Sequence, residues 1–404
     1  SSQVCHSCFR QQAQLHRCAQ CRFAHYCDRT CQTACWEEHR QECQAIRRLG
    51  EVPADRIRLA ARVMWRMHKD TGVASDSQLL PVEELQDHVA DLPQEQLQRL
   101  HADVRTFQEF WSCGRSRPSR EDIAHVLGII KTNGFTLSDQ RGLQAVGVGL
   151  FPNLCLVNHD CWPNCSVVLN HGNQSATNPA LHSQRRVELR ALGKVCQGEE
   201  LTVSYVDFLD TSAERQRKLS ELFFFHCTCQ RCSQHLKDDA MTAAADGADA
   251  AEVQEVTAFS QECLEKIDRC LTGRDYQEVL ALCSACLQKQ RGLLADTHLC
   301  HLRVLSAAVE ALSYLRCFPE AAAYALRLLQ GYRKLYPPNH AQLGVAAMRA
   351  GVAHLQAGMP EAAHELICQA YRTLLVSHGP NHSTTRDLEA MRRQAELELK
   401  VLKQ

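Results

Sequence analysis

The sequence predicts an α+β protein whose three parts differ in their residue patterns. Eight cysteine and histidine residues with metal-ligand spacing lie within residues 5–43. Short apolar runs interrupted by glycine follow within residues 131–210 and favour β-strands. Residues 252–402 carry helical periodicity with a repeat of about 41 to 42 residues. We therefore expect a zinc-bound finger, a β-rich core preceded by helices, and an all-α C-terminal domain.

Composition excludes some classes of protein. The net charge of the 404 residues is −1, so no global field draws the chain to nucleic acid or to an acidic membrane. The 23 cysteines are spread along a chain with no signal-like apolar start and no apolar run of about 18 residues. This distribution favours a reducing compartment in which zinc takes some of the thiols. The chain begins at Ser1 without an initiator methionine, so we expect it to be a piece of a longer protein.

The first segment reads C-x2-C-x9-C-x2-C-x5-C-x3-C-x7-H-x3-C. Eight ligands are enough for two tetrahedral zinc ions, and pairs that alternate along a short, core-poor segment favour an interleaved arrangement. The first predicted site consists of Cys5, Cys8, Cys27 and Cys31. The second consists of Cys18, Cys21, His39 and Cys43. Cys35 falls outside the pattern, and we expect it to be a spare thiol.

Residues 46–130 show helical spacing, and their apolar side chains predict packing rather than chemistry. Ile57, Ala60 and Met64 recur on one helical face. No chemical role is assigned before Asn133.

Residues 158–165 read N-H-x-C-x-P-N-C, a composition unlike that of a packed core. The proline and asparagines predict a tight turn, and a cysteine with a histidine there indicates a metal or ligand site. We expect two distant stretches to meet this turn, residues 198–205 (G-E-E-L-T-V-S-Y) and residues 227–232 (C-T-C-Q-R-C). The third predicted zinc site consists of Cys161, Cys227, Cys229 and Cys232. The adjacent Cys165 is left without a metal.

The C-terminal part repeats a helix pair, which predicts stacking into a superhelix. Each repeat carries a histidine at an equivalent turn, namely His298, His340 and His382. These histidines are expected to be turn or cap residues rather than ligands. Cys283 and Cys286 copy the spacing of a zinc knuckle, but leucines continue a helix around them, so we expect buried thiols. Residues 238–252, rich in alanine, are the best linker candidate.

The motifs together resemble a known family. The finger resembles a MYND finger, the N-H-x-C and G-E-E-L-T-x-x-Y motifs with the Cys-rich segment resemble a SET domain with its post-SET segment, and the repeats resemble a divergent tetratricopeptide array. This order is that of the SET-and-MYND (SMYD) family of protein lysine methyltransferases. The sequences of residues 133–149 and 158–165 look closest to those of the striated-muscle member of this family.

The resemblance implies a domain order and one departure from it. The finger is expected at 1–45, a helical SET insert at 46–130, the SET core at 131–210, the post-SET zinc segment at 211–240, and tetratricopeptide-like repeats at 252–404. In the family, part of the SET domain precedes the finger. That leading segment, with a Gly-x-Gly turn, has no match here.

The resemblance also implies the site residues. S-adenosylmethionine would be bound by Asn133, Asn158, His159, Tyr205 and Phe225, with Phe225 against the adenine. Tyr205 would lie beside the transferred methyl group as the catalytic residue, and three zinc ions would be structural. Taken alone, Tyr205 could be an ordinary strand tyrosine and His159 a core histidine, but the motifs around them favour the functional interpretation.

The expected function is protein-lysine N-methylation of histone H3, at lysine 4 by resemblance, and of other proteins, in transcriptional regulation and sarcomere assembly. Expected partners are proline-rich transcription proteins at the finger, deacetylases, a chaperone and myosin, for a monomer in nucleus and cytoplasm. Membrane binding is not expected, and DNA is not expected as the primary partner. The rival hypothesis is a non-catalytic zinc-binding adaptor that joins proline-rich partners to chaperones.

Overall fold

A computed structural model describes residues 4–9, 14–69, 81–111, 117–138, 145–170 and 186–402. The chain divides into two compact units. The first unit consists of Ser1–Asn158, Leu169–Leu189 and Ser220–Phe225. The second unit consists of His159–Val168, Arg190–Leu219 and His226–Gln404.

Helices dominate the first unit, and α1 and α4 begin at side-chain caps. They are α1 (Arg29–Leu49), α2 (Asp55–Lys69), α3 (Gln94–Phe110), α4 (Arg120–Asn133) and the short α5 (Pro152–Cys155), with 3-10 turns at Val82–Glu84 and Val89–Asp91. The Asp28 side chain accepts a hydrogen bond from the Cys31 N–H at 2.8 Å and starts α1, which ends at Gly50 with φ 78°. Ser119 and Asp122 form a capping box on α4.

The core of the first unit is built on the helical face that the sequence predicted. Ile57, Ala60 and Met64 are buried together, and Phe107 and Phe110 from α3 pack into the same cluster. The prediction of packing in this stretch is confirmed.

The described strands are short and pair two by two. In chain order they are β1 (His16–Arg17), β2 (His25–Tyr26), β3 (Phe135–Ser138), β4 (Ala145–Gly149), β5 (Asn158–His159), β6 (Cys165–Asn170), β7 (Arg186–Ala191) and β8 (Thr202–Val203). The pairs are β1–β2, β3–β4, β5–β8 and β6–β7. Strands of two to six residues between glycine and proline turns form separate ladders in the described residues, instead of one continuous sheet.

Helices of the second unit confirm the α-helical repeat. They are α6 (Ser212–Phe223), α7 (Gln230–Ser233), α8 (Asp238–Met241), α9 (Ala250–Gly273), α10 (Tyr276–Gln290), α11 (Leu299–Tyr314), α12 (Phe318–Leu335), α13 (Ala341–Gln356), α14 (Pro360–Ser377) and α15 (Ser383–Leu402). Each helix from α9 to α15 packs against the next. None of the helices within the described residues has the length and apolarity needed to cross a membrane.

The repeating histidines are helix caps, as predicted. His298 and His340 accept hydrogen bonds at Nδ1 from the N–H groups of Cys300 and Gln342, both at 3.2 Å. His382 accepts in the same way from Thr384. An imidazole at these turns therefore satisfies a backbone donor that the helix leaves without a partner.

The predicted linker is an ordered part of the second unit. Asp249 caps α9, and Ala245 donates its N–H to the carbonyl of Leu293 at 2.9 Å. Ala243 and Ala295 form a further backbone hydrogen bond at 3.0 Å. Because alanine has no bulky side chain, the backbone of this segment can form hydrogen bonds with the turn after α10. The alanine-rich composition alone does not reveal this pairing.

Within the second unit the C-terminal helices and the turns beside them contact the chain at Ser166, Arg190 and Phe208. The Ser166 hydroxyl donates to the Ser377 carbonyl at 3.5 Å, across 211 residues of sequence. Arg190 Nε donates to the Val376 carbonyl at 3.1 Å. The stacked rings of Phe208 and Tyr336, with centroids 5.0 Å apart, add an aromatic contact.

Candidate active site and zinc centres

The structure groups Cys5, Cys8, Cys27 and Cys31, with all sulfur atoms within 4.8 Å of one another. Cys8 and Cys27 have an Sγ–Sγ distance of 3.5 Å. A disulfide would need about 2.05 Å, whereas the edge of a tetrahedral zinc–sulfur site is about 3.8 Å for zinc–sulfur bonds of about 2.3 Å. The donor set therefore fits a zinc ion. Three of these four cysteines are only half-buried.

The second group is Cys18, Cys21, His39 and Cys43, and it is more deeply buried. Cys21 Sγ lies 3.5 Å from His39 Nε2, and Cys18 Sγ lies 3.8 Å from Cys43 Sγ. His39 Nδ1 donates to Glu42 Oε2 at 3.0 Å, which fixes the imidazole with Nε2 facing the sulfur atoms.

Glu42 is buried between cations and stays ionised. Arg58 Nε donates to its carboxylate at 2.8 Å and Arg62 at 2.5 Å. Burial acts to raise the pKa of Glu42, but the His39 hydrogen bond and the charges of Arg62 and Arg58 outweigh it and hold that pKa well below its usual range.

The third group brings together cysteines that are 66 to 71 residues apart, Cys161 with Cys227, Cys229 and Cys232. Cys161 Sγ lies 4.0 Å from Cys227 Sγ and 3.4 Å from Cys232 Sγ. These distances again fit zinc and not a disulfide. Cys165 is buried and is outside this group.

Two arginines are buried beside the third group. Arg215 is 0% exposed and Arg231 is 1% exposed. Arg215 Nη2 donates to Cys232 Sγ at 3.7 Å, and Arg231 Nη1 donates to the Cys161 carbonyl at 3.0 Å. Burial and the charge of Arg215 lower the pKa of Arg231 to about 10, so Arg231 is still ionised at neutral pH.

Arg231 is also stacked on the ring of Phe208. The guanidinium carbon lies 3.8 Å from the ring centroid, and Nη2 donates to the Phe208 carbonyl at 2.7 Å. A continuous stack therefore runs from Arg231 through Phe208 to Tyr336 in the turn after α12.

His159 connects the third group to Tyr205. Burial lowers the pKa of His159 to about 4, so its ring is neutral at pH 7. Nδ1 accepts from the Tyr205 backbone N–H at 3.0 Å, which places the proton on Nε2, 3.1 Å from Cys161 Sγ. The His159 and Tyr205 rings lie 5.2 Å apart. His159 thus contacts both the backbone of Tyr205 and the sulfur atom of Cys161, which are predicted site residues.

The other predicted cofactor residues belong to the first unit. Asn133 ends α4 and donates through Nδ2 to the carbonyls of Gln86 at 2.8 Å and Ile129 at 3.1 Å. Asn158 is exposed and Phe225 is half-buried. His159 and Tyr205 belong to the second unit.

Sequence reasoning missed Glu42, Arg215 and Arg231. The spacing of His39 and Glu42 on one helix could have indicated Glu42, because residues three apart share a helical face. No comparable signal marks the two arginines.

Comparisons with known proteins agree with these groups. The MYND finger profile matches residues 5–43, and the SET domain profile matches residues 67–206. Human "Histone-lysine N-methyltransferase SMYD1" is 52% identical over 403 residues, 99% of this chain and 82% of the relative. Mouse "Histone-lysine N-methyltransferase SMYD3" is 32% identical over 95% of this chain and 86% of the relative. "N-lysine methyltransferase SMYD2-A" of Danio rerio is 26% identical over 94% of this chain and 85% of the relative.

These findings establish the family predicted from the motifs. The chain has a finger of eight ligands and a SET domain, and one relative is 52% identical over 99% of the chain. The chain belongs to the SMYD family of lysine methyltransferases, with a MYND finger, a SET domain and zinc-binding cysteine clusters.

Proposed function

We propose that the chain is an S-adenosylmethionine-dependent protein-lysine N-methyltransferase in which Tyr205 is the catalytic residue. The observation that carries the proposal is the position of His159, between the Tyr205 backbone and Cys161 Sγ. A tyrosine whose backbone is fixed in this way can present its hydroxyl and ring at a defined place, and methyl transfer gains most from such positioning.

The residues present suit the cofactor. When bound, S-adenosylmethionine supplies an electrophilic methyl group on a cationic sulfonium, which aromatic rings and amide oxygens accommodate. The Asn133 amide nitrogen donates to two backbone carbonyls, and its Oδ1 is the atom of the amide that could accept a hydrogen bond from the cofactor. Both ring nitrogens of His159 are engaged, so its part in binding would come from its backbone. Asn158 and Phe225 complete the proposed set.

The target amine must be neutral to attack. An aromatic, poorly hydrated channel lowers the pKa of a lysine by desolvation. In our proposal the Tyr205 hydroxyl orients that neutral amine.

Zinc has a structural role in the proposal. The two finger clusters and the third cluster, Cys161 with Cys227, Cys229 and Cys232, would hold three ions in all. The third ion would fix the segment that follows Phe225.

The substrate class rests on the relatives, and the partner assignments rest on the family resemblance. The names of the SMYD1 and SMYD3 relatives support histone as a substrate class, and we propose H3 lysine 4 together with lysines of non-histone proteins. The MYND finger supports a role in protein interaction, and we propose proline-rich transcription proteins as its partners. We further propose deacetylases, a chaperone and myosin as partners. The protein would have a role in muscle and would act as a monomer in the nucleus and the cytoplasm.

The test is methyl transfer by the zinc-loaded chain from radiolabelled S-adenosylmethionine to an H3 peptide and to a peptide with lysine 4 replaced by arginine. We expect Tyr205→Phe to lower the rate about 100-fold. Tyr314→Phe, the same change at a tyrosine that is 63% exposed, should leave the rate unchanged.

Calorimetric titration separates the enzyme from its rival. Binding of S-adenosylmethionine at micromolar affinity, about −8 kcal/mol, supports the enzyme. A folded, zinc-loaded chain that neither binds the cofactor nor transfers methyl groups would contradict it and favour the non-catalytic adaptor.

A further inference from the structure

The third cysteine cluster carries charge that the interior must offset. A zinc ion coordinated by four thiolates has two net negative charges, because coordinated thiols are deprotonated. Cys161, Cys227 and Cys232 are buried, so water screens little of this charge. Burying an uncompensated charge is costly.

Arg215 and Arg231 are the cations placed to offset it. Both are fully buried and permanently charged. Arg215 contacts Cys232 Sγ directly, and Arg231 contacts the carbonyl of Cys161. The Nε atoms of both are buried without a hydrogen-bond partner among the described residues, so the neutral partners leave each guanidinium incompletely satisfied.

The buried carboxylate of Asp210 does not serve as the counter-ion of Arg215. Asp210 pairs with Lys218 Nζ at 2.6 Å and with Arg303 at 3.4 Å. Arg215 donates instead to the Asp210 backbone carbonyl, at 2.5 Å. The charge facing Arg215 is therefore that of the cluster.

In the finger, the cluster of Cys18, Cys21, His39 and Cys43 also has its negative charge offset by arginines. Zinc with three thiolates and one neutral histidine has one net negative charge, and Glu42 adds a second. Arg58 and Arg62 both bind Glu42 and supply two positive charges. The remaining finger cluster, whose ligands are mostly half-buried, is open to water instead.

We infer that Arg215 and Arg231 are positioning residues that balance the charge of the third zinc centre and make its retention of zinc depend on two buried guanidinium groups. Without zinc the two buried cations lose the charge of the metal cluster, and the partly exposed carboxylate of Asp238 is a remaining negative charge that acts on Arg231. Loss of the metal and exposure of the arginines should therefore occur together. This inference rests on the zinc assignment under the proposed function.

The test is site-resolved zinc release from the full chain. The chain is held in excess chelator and pulsed with iodoacetamide, and mass spectrometry gives the alkylation rate of Cys161, Cys227, Cys229 and Cys232. Arg215→Met and Arg231→Met remove the charge at similar length, and Arg215→Lys and Arg231→Lys keep it. Arg303→Met is the control, because Arg303 binds Asp210 without touching the cluster.

We expect each methionine variant to alkylate the four cysteines about 10- to 100-fold faster than wild type, the range for partners of metal ligands. The finger cysteines provide an internal reference and should keep their wild-type rates. The lysine variants should stay within a few-fold of wild type, and Arg303→Met should match it.

Equal rates in the lysine and methionine variants would overturn the inference, because packing or hydrogen bonding would then explain the effect. Unchanged rates in the methionine variants would overturn it as well. If the methionine variants do not fold, the lysine variants alone test the inference. An alkylation rate of the four cysteines more than tenfold above wild type in the lysine variants would contradict a role of charge. Alkylation of the four cysteines in wild type without chelator would instead refute the zinc assignment.

Discussion

The Nδ1 atom of His159 accepts the backbone N–H of Tyr205 at 3.0 Å, although 46 residues separate them in sequence. The same ring lies 3.1 Å from Cys161 Sγ through Nε2. Replacing His159 therefore disturbs the candidate catalytic tyrosine without touching its hydroxyl.

His159→Ala should lower the rate of methyl transfer about 100-fold while leaving Tyr205 chemically intact, because a displacement of about 1 Å can cost that much. The measurement is the initial rate of peptide methylation at saturating cofactor. His101→Ala, at an exposed histidine in α3, is the matched control. Wild-type rates in His159→Ala would show that Tyr205 is positioned by other contacts.

Cys161→Ser should remove one zinc equivalent and loosen the segment around Cys227, Cys229 and Cys232, since one of four thiolates is lost. Elemental analysis counts the metal, and hydrogen exchange reports the loosening. Cys165→Ser changes a buried cysteine outside the cluster and should retain all the zinc. An unchanged metal content in Cys161→Ser would refute the assignment.

His301 should make the stability of the helical repeats depend on pH. Its Nδ1 lies 2.9 Å from Gln290 Oε1, and Arg327 Nη2 lies 3.2 Å from Nε2, which is the arrangement of a neutral ring. Burial, then the charge of Arg327, lowers the pKa of His301 from 6.5 to about 4, with Asp296 opposing and His298 adding to the shift. His301 therefore binds a proton more tightly in the unfolded chain than in the folded chain. The free energy of unfolding decreases as pH falls from 6.5 towards 4.

The expected loss from this one histidine is at most on the order of 3 kcal/mol. Urea unfolding at pH 7, 5.5 and 4.5 measures it as the difference between wild type and His301→Gln, which cannot be protonated. His235→Gln, at a histidine that is 71% exposed, is the control. Identical pH dependence of wild type and His301→Gln would contradict the prediction.

Gly331→Ala should destabilise the second unit by about 1 to 3 kcal/mol, because an added methyl group would collide with the Leu302 side chain and lie 2.9 Å from the Asp296 carbonyl oxygen. Thermal unfolding measures the change. Gly273→Ala has no atom within 4 Å of the added group, so it should be neutral or slightly stabilising. If both variants unfold at the same temperature, the close approach of α11 and α12 is not tight.

Features set by residue type at fixed spacing could be predicted from the sequence. The eight finger ligands, the capping histidines and the buried Cys283 and Cys286 were identified because local spacing determines which helix face or turn they occupy. Partners assembled from distant segments could not be predicted in the same way. Arg215 lies on a largely polar helix, where arginine normally faces water, and only the cluster formed across 66 to 71 residues creates a need for its charge.

The cofactor residues Asn133, Asn158, His159, Tyr205 and Phe225 remain predictions from resemblance. Side-chain contacts explain how His159 holds Tyr205 and what Asn133 Nδ2 binds, which neither spacing nor composition could show. The β-rich region was recognised by its glycine-punctuated runs, but its division into two-stranded ladders depends on pairings between segments that local patterns do not specify.

The hydrogen bond between Ser166 and Ser377 has a consequence for the order of folding during synthesis. Because 211 residues separate the two partners, the turn that contains Cys161 leaves the ribosome long before α14 exists. Contacts of such sequence separation form late and slowly. The N-H-x-C segment therefore cannot complete this contact until the last helical repeats have been made, and it stays incompletely packed during that part of synthesis.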